Sequence, residues 1–201
     1  MSKFLLDFKR KWVIYLFIAI LLIIFECFAL DIVARVEPED KVMIFMTCEG
    51  HDERIVDILN EDTPENIKKV EIGFFSPNET FYAPYFSTFG KDADIVTLTQ
   101  KFSDMCDCKS YFAPLDEEMM LARYGEVEFY RQDGVAYGIK IYDADSKGGM
   151  ADKYIDYYGN GEEENAYLFF GKDSLHIGDL YENSTDEGAL VILEKIWQNL
   201  K

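Results

Sequence analysis

The residues able to do chemistry are few, and their spacing argues against catalysis. Two histidines occur, His51 and His176. His51 opens "HDER", just after a strand-like run, where α/β proteins place their sites. Neighbouring positions on a helix point in different directions, so His51, Asp52 and Glu53 do not converge. The acids there suit the positive end of a helix dipole instead. In "KDSLHIG", Ser174 and His176 stand two apart, which makes no dyad in strand or turn geometry without groups from elsewhere. "DADSKGG" begins like a calcium loop, with Asp143, Asp145 and Gly148 at the first, third and sixth positions. Lys147 and Tyr154 then stand where an oxygen donor and a glutamate are required, so this is a solvated loop. There is no nucleophile elbow, phosphate loop, dinucleotide fingerprint or zinc-protease motif. The expectation is a chain with no catalytic residue, no metal and no cofactor.

Beyond Cys27, three cysteines remain: Cys48, Cys106 and Cys108. In an oxidising compartment Cys48 pairs sensibly with either member of "CDC", whereas a direct Cys106–Cys108 bridge closes a strained ring. Free thiols and a Cys-X-Cys redox pair are the alternatives. "TFYAPYFSTF" packs five aromatics into ten residues. Phe81, Tyr85 and Phe89 recur at helical spacing and suit a core, while Tyr82 and Tyr85 suit a stacking surface.

The elements that must position these residues begin with an apolar block. Trp12 to Leu30 is nineteen residues, interrupted by Glu26 alone. As a helix it rises about 28 Å, close to a bilayer's hydrocarbon thickness. Lys3, Lys9, Arg10 and Lys11 precede it against Asp7, so residues 1–11 stay in the cytoplasm and the rest is exported. Cys27-Phe28-Ala29 also offers a cleavage site, so a removed signal segment is the alternative to an anchor. Both outcomes place the remainder outside the cytoplasm, and a retained anchor makes it a single-pass protein of the cell membrane. Residues 31–40 read as a linker and 41–201 as one domain. Residues 31–201 carry 16 basic against 36 acidic residues, a surface that repels nucleic acid.

Within the domain, "KVMIFMTC" reads as a buried strand, "RIVDIL" as a helix and "VEIGFF" as the next strand, a parallel βαβ unit. "TPENIKK" suits a further helical turn. Ser76 with Glu79, and Ser184 with Glu187, have the spacing of capping boxes. "ADIVTLT" is a third strand. "VEFYRQ" and "VAYGIKIY" flank Asp133-Gly134, a type I′ hairpin signal. "AYLFFGK" is a last buried strand. Leu190, Leu193, Ile196, Trp197 and Leu200 form the apolar stripe of a closing helix. The fold class expected is α/β, one lobe with a mixed, mainly parallel sheet, flanking helices and one hairpin, preceded by a transmembrane helix.

Asp94-Ile95, Pro114-Leu115-Asp116 and Gly134-Val135-Ala136-Tyr137-Gly138-Ile139 follow one another as in a known family. The stretch 41–143 resembles the first lobe of bacterial extracellular solute-binding proteins, of the periplasmic-binding-protein type II fold. "AYLFFGKDSLHIGDL" looks like the return strand of that lobe. Lys140 stands where the family usually has proline, and the chain beyond the hairpin has room for one lobe only. The resemblance implies non-catalytic recognition in transport, with a membrane transporter or complex as partner.

In such a sheet a site lies at the carboxyl ends of the parallel strands. Thr47 and Glu49 after the first strand, Thr97 and Thr99 after the third, and Tyr82 and Tyr142 nearby are the candidates. Hydroxyls and aromatics there suit a small polar ligand. The other readings are a module that docks a membrane protein or assembles with itself, and a thiol-redox factor.

Overall fold

The computed structural model describes residues 3–34, 36–61, 63–77, 84, 86–87, 90–157 and 164–199, with side chains over the same set except 3–10, 27–34 and 198–199. Two compact units emerge, Met1–Glu37 and Pro38–Lys201.

The first unit is one helix, α1 (Lys3–Ala34). It outruns the expected end at Leu30, so part of the presumed linker is helical. Pro38–Asp40 then forms a 3-10 turn. The large apolar side chains from Trp12 to Phe25 are 43–72% exposed. They point to every side, and α1 has no polar face over that stretch. Among the described residues no helix is long and apolar enough to cross a membrane. The described side chains of α1 run from Lys11 to Glu26, about 24 Å of helical rise.

Among the described residues the second unit follows the expected order, with three two-residue strands added. In chain order it has β1 (Lys41–Thr47), β2 (Gly50–His51), α2 (Arg54–Asn60), β3 (Lys69–Phe75) and β4 (Ile95–Thr99). Next come α3 (Gln100–Met105), α4 (Cys108–Tyr111), α5 (Glu117–Tyr124), β5 (Phe129–Gln132) and β6 (Val135–Asp143). β7 (Gly148–Gly149), β8 (Ile155–Asp156), β9 (Ala166–Phe170) and α6 (Gly188–Asn199) complete it.

The main sheet runs β3-β1-β4-β9-β6-β5, with β7 against β6. β3, β1 and β4 are mutually parallel, joined through the β1-α2-β3 crossover. β9 enters antiparallel to both β4 and β6, and the β5–β6 hairpin closes the far side. The sheet is therefore mixed, parallel at one side and antiparallel at the other. Asp133 (φ 52°) and Gly134 (φ 82°) both adopt positive φ, as a type I′ turn demands. β2 and β8 form a separate two-stranded ribbon.

Strand alternation builds two cores. Val42, Ile44 and Met46 of β1 face one side with Leu168 and Phe170 of β9, under α2, α5 and α6. Phe45, Val96, Leu98 and Phe169 face the other, under Phe102 of α3 and Cys108 of α4. Phe169 lies flat over Gly138, where an added Cβ would stand 2.7 Å from its ring.

Two local expectations change. "TPENIKK" makes no helix; the Thr63 hydroxyl instead donates to the Ile67 carbonyl at 2.8 Å. Ser184 does not cap α6. Its hydroxyl donates to the Leu175 carbonyl (3.0 Å) and accepts the Ile177 amide (2.8 Å), while Asp186 accepts the Gly188 amide at 2.7 Å. The capping box with Glu79 and the aromatics Phe81, Tyr82, Tyr85 and Phe89 lie outside the described residues.

Candidate functional site

The carboxyl ends of β1 and β4 are where a ligand was expected, and they are filled by the protein itself. β1 and β4 pair directly only at Ile44↔Ile95 and Phe45↔Val96. Beyond that point side chains take over the ladder. The Thr47 amide donates to Thr97 Oγ1 at 2.9 Å, and Thr47 Oγ1 donates to the Thr97 carbonyl at 2.8 Å. Both residues are sealed, at 1% and 0% exposure. The Thr99 carbonyl accepts the Ser103 hydroxyl at 2.8 Å in the first turn of α3, and Thr99 too is buried.

The structure thus brings Thr47 and Thr97 together and buries both. A threonine at a strand end reads the same from sequence whether it faces a cleft or a diverging neighbour. Replacing Thr97 by valine removes the acceptor of a buried amide, so stability is expected to fall by about 1–3 kcal/mol in chemical denaturation. A change within a few tenths of a kcal/mol would show that the hydroxyl does not hold the two strands.

The other candidates do not join these two. Tyr142 is buried and stacked on Tyr157, with ring centroids 5.2 Å apart. Tyr157 in turn donates to the Met150 carbonyl at 2.7 Å. Glu49 is exposed and accepts the Ser76 hydroxyl at 3.0 Å. Tyr82 lies outside the described residues.

His51 is exposed on β2, its ring stacked 3.6 Å from that of Phe74. Asp52 is turned away to Arg54, with Nε at 2.9 Å and Nη2 at 2.6 Å from Oδ2. The Arg54 hydrogen bonds pull the Asp52 carboxyl down to about 2. Its other oxygen accepts the Arg54 amide at 2.9 Å. The "HDER" acid thus serves the start of α2 and is no partner base for His51. In the "DADSKGG" loop, Asp143 Oδ1 accepts the Asp145 and Ser146 amides, closing a turn. Among the described residues no cluster of His, Cys, Asp and Glu is arranged to hold a metal ion.

Cys48, Cys106 and Cys108 are free thiols, so the expected bridge from Cys48 is not formed. The reason is their place on the sheet: Cys48 belongs to the core on one face, and Cys108, on α4, to the core on the other, with Cys106 packed against it. Burial pushes the thiols up, Cys48 and Cys108 to about 12 and Cys106 to about 11. At neutral pH they stay protonated and are poor nucleophiles.

Ser174 and His176 do find outside help, but from different residues. Ser174 Oγ donates to Asp94 Oδ1 at 2.6 Å, and the other Asp94 oxygen accepts the Met43 amide at 2.7 Å. His176 Nδ1 lies 2.9 Å from both oxygens of Asp186, and its Nε2 lies 3.1 Å from the Pro38 carbonyl oxygen. The Ser174 hydroxyl donates to Asp94 while the ring nitrogens of His176 face Asp186 and Pro38, so the two side chains form no Ser–His pair. Asp186 was missed as a member of this group, and no spacing in the sequence announces it.

No known protein family, curated protein or solved structure matches this chain.

Proposed function

We propose that this chain is a membrane-tethered, non-catalytic recognition module whose α/β domain docks a membrane protein. The observation that carries the tether is α1, whose apolar side chains are exposed on all sides from Trp12 to Phe25. A helix apolar all round needs lipid or a protein core to cover it. Lys9, Arg10 and Lys11 before it favour a cytoplasmic N-terminus, which puts residues 36–201 on the outer side. The likeness of residues 41–143 to one lobe of a solute-binding protein is supported by β9, which returns into the sheet between β4 and β6.

Protein docking is favoured over capture of a small polar solute because Thr47, Thr97, Thr99 and Tyr142 are buried, the first two threonines hydrogen-bonded to each other and Tyr142 stacked on Tyr157. Thiol chemistry is disfavoured by the raised thiols. The acidic balance of the exported part favours a partner surface bearing lysine and arginine.

Two measurements test the reading. The full chain is expected to stay with membranes through alkaline carbonate extraction, while a variant lacking residues 1–36 moves to the soluble fraction. Release of the full chain by carbonate would remove the tether. In intact cells, photo-crosslinkers at exposed positions such as Glu49 and Tyr111 are expected to trap one membrane protein in fixed stoichiometry. A rise in melting temperature with a sugar, amino acid or short peptide, and no trapped protein, would return the reading to a solute.

A further inference from the structure

His176 is buried, at 1% exposure, and both of its ring nitrogens face oxygen acceptors. A carboxylate and a backbone carbonyl have no proton to give. The ring satisfies both only with a proton on each nitrogen, as imidazolium. Its contacts join three separate pieces of chain. Pro38 opens the domain, Asp186 precedes α6 and accepts the Gly188 amide, and the His176 carbonyl accepts the Ala189 amide at 2.9 Å. The His176 amide donates to Ser174 Oγ at 3.1 Å, and Ser174 is in turn bound to Asp94.

We propose that His176 is a protonation-governed clasp on the start of the domain. As imidazolium it ties the Pro38 carbonyl to Asp186 at the head of α6, and as neutral imidazole it lets that segment go. Asp186 retains the proton on Nδ1 through a charge-assisted hydrogen bond. Nε2 then presents a lone pair to the Pro38 carbonyl oxygen, and attraction becomes repulsion. The release is local. The Lys68 amide still donates to the Asp40 carbonyl at 2.7 Å, and the Met43 amide still donates to Asp94.

The charged groups facing the ring are Asp186, before α6, and Asp94, ahead of β4. Burial pulls the His176 pKa down, but the hydrogen bonds to Asp186 and Pro38 and the charges of Asp94 and Asp186 outweigh it, leaving it raised. The sign follows from a folded value above the unfolded one, which is about 6.5. The clasp's stabilisation is complete below about pH 6.5 and is lost as pH rises through the folded value.

Because the chain has only two histidines, histidine-selective isotope labelling of the full chain in detergent micelles gives two imidazole signals, and His176→Gln assigns them. The wild-type signal of His176 is expected to carry two ring protons at pH 6 and to titrate above 6.5. Hydrogen exchange of the peptide 36–43, corrected for intrinsic rates, is expected to accelerate above that midpoint. The gain should be about tenfold per unit separating folded and unfolded values. Asp186→Asn is expected to lower the midpoint by about one unit or more, and His176→Gln to leave exchange without the step. A singly protonated ring at pH 6, a midpoint at or below 6.5, or exchange indifferent to the wild-type titration would each overturn the clasp. The wild-type titration alone decides the matter if the variants do not fold.

Discussion

Replacing Asp94 by alanine is expected to lower folding stability by about 3–5 kcal/mol. Asp94 is only 6% exposed and stands immediately ahead of β4. One oxygen holds the Met43 amide in β1, and the other holds the Ser174 hydroxyl beyond β9. Backbone bonds run alongside: the Asp94 amide donates to the Met43 carbonyl at 2.9 Å, and the Gly171 amide to the Asp94 carbonyl at 3.0 Å. Truncation leaves two buried donors without acceptors, at roughly 1–3 kcal/mol each. It also removes a negative charge facing His176. Burial itself raises the Asp94 pKa, opposed by the Met43 and Ser174 hydrogen bonds, so part of the loss is offset by relief of desolvation. Asp94→Asn separates the terms, because it keeps one acceptor and the side-chain volume and should cost about half as much. Equilibrium denaturation of both variants checks this. A loss under 1 kcal/mol for alanine would mean that water enters and satisfies both donors.

The second large effect is expected at Phe169. It is fully buried in β9, stacked on Phe112 with centroids 4.5 Å apart and set edge-on to Tyr130 at 5.6 Å. Phe169→Ala is expected to cost about 3–5 kcal/mol, from lost transfer energy and an incompletely collapsed cavity. The collapse is hindered because the floor of this seat is Gly138, which has no side chain to move inward. The reciprocal change, Gly138→Ala, drives a methyl into the ring and is expected to cost about 1–3 kcal/mol. The double variant should be less destabilised than the sum of the two, since the missing ring leaves room for the new methyl. Additivity in that cycle would sink the assignment of Gly138 as the seat of Phe169.

Local pattern was enough for most elements. The continuous apolar run of "KVMIFMT", the 3.6-residue stripe of "RIVDIL" and the Asp133-Gly134 pair each specify a conformation through their own backbone and side chains. The strand, helix and hairpin appeared where those patterns stood. The capping box read from the spacing of Ser184 and Glu187 did less well. Ser184 had a better offer from the Leu175 and Ile177 backbone than from its own helix, and a distant partner cannot be seen in a four-residue window.

By itself the sequence determined the α/β class, the parallel β1-α2-β3 crossover, the apolar helix at the N-terminus and the poverty of catalytic motifs. All of these depend on periodicity, turn chemistry or composition, which are local quantities. Only the tertiary structure decided what the strand ends do. Thr47 and Thr97 sit fifty residues apart, and their hydroxyls point at each other because β1 and β4 diverge just there. Packing of α4 on the face of the sheet opposite Cys48 put the two cysteines in different cores. Closure of the chain brought Pro38 and Asp186 to the two sides of one imidazole. Long-range juxtaposition leaves no period and no spacing in the chain, and that is where the chemistry of this domain resides.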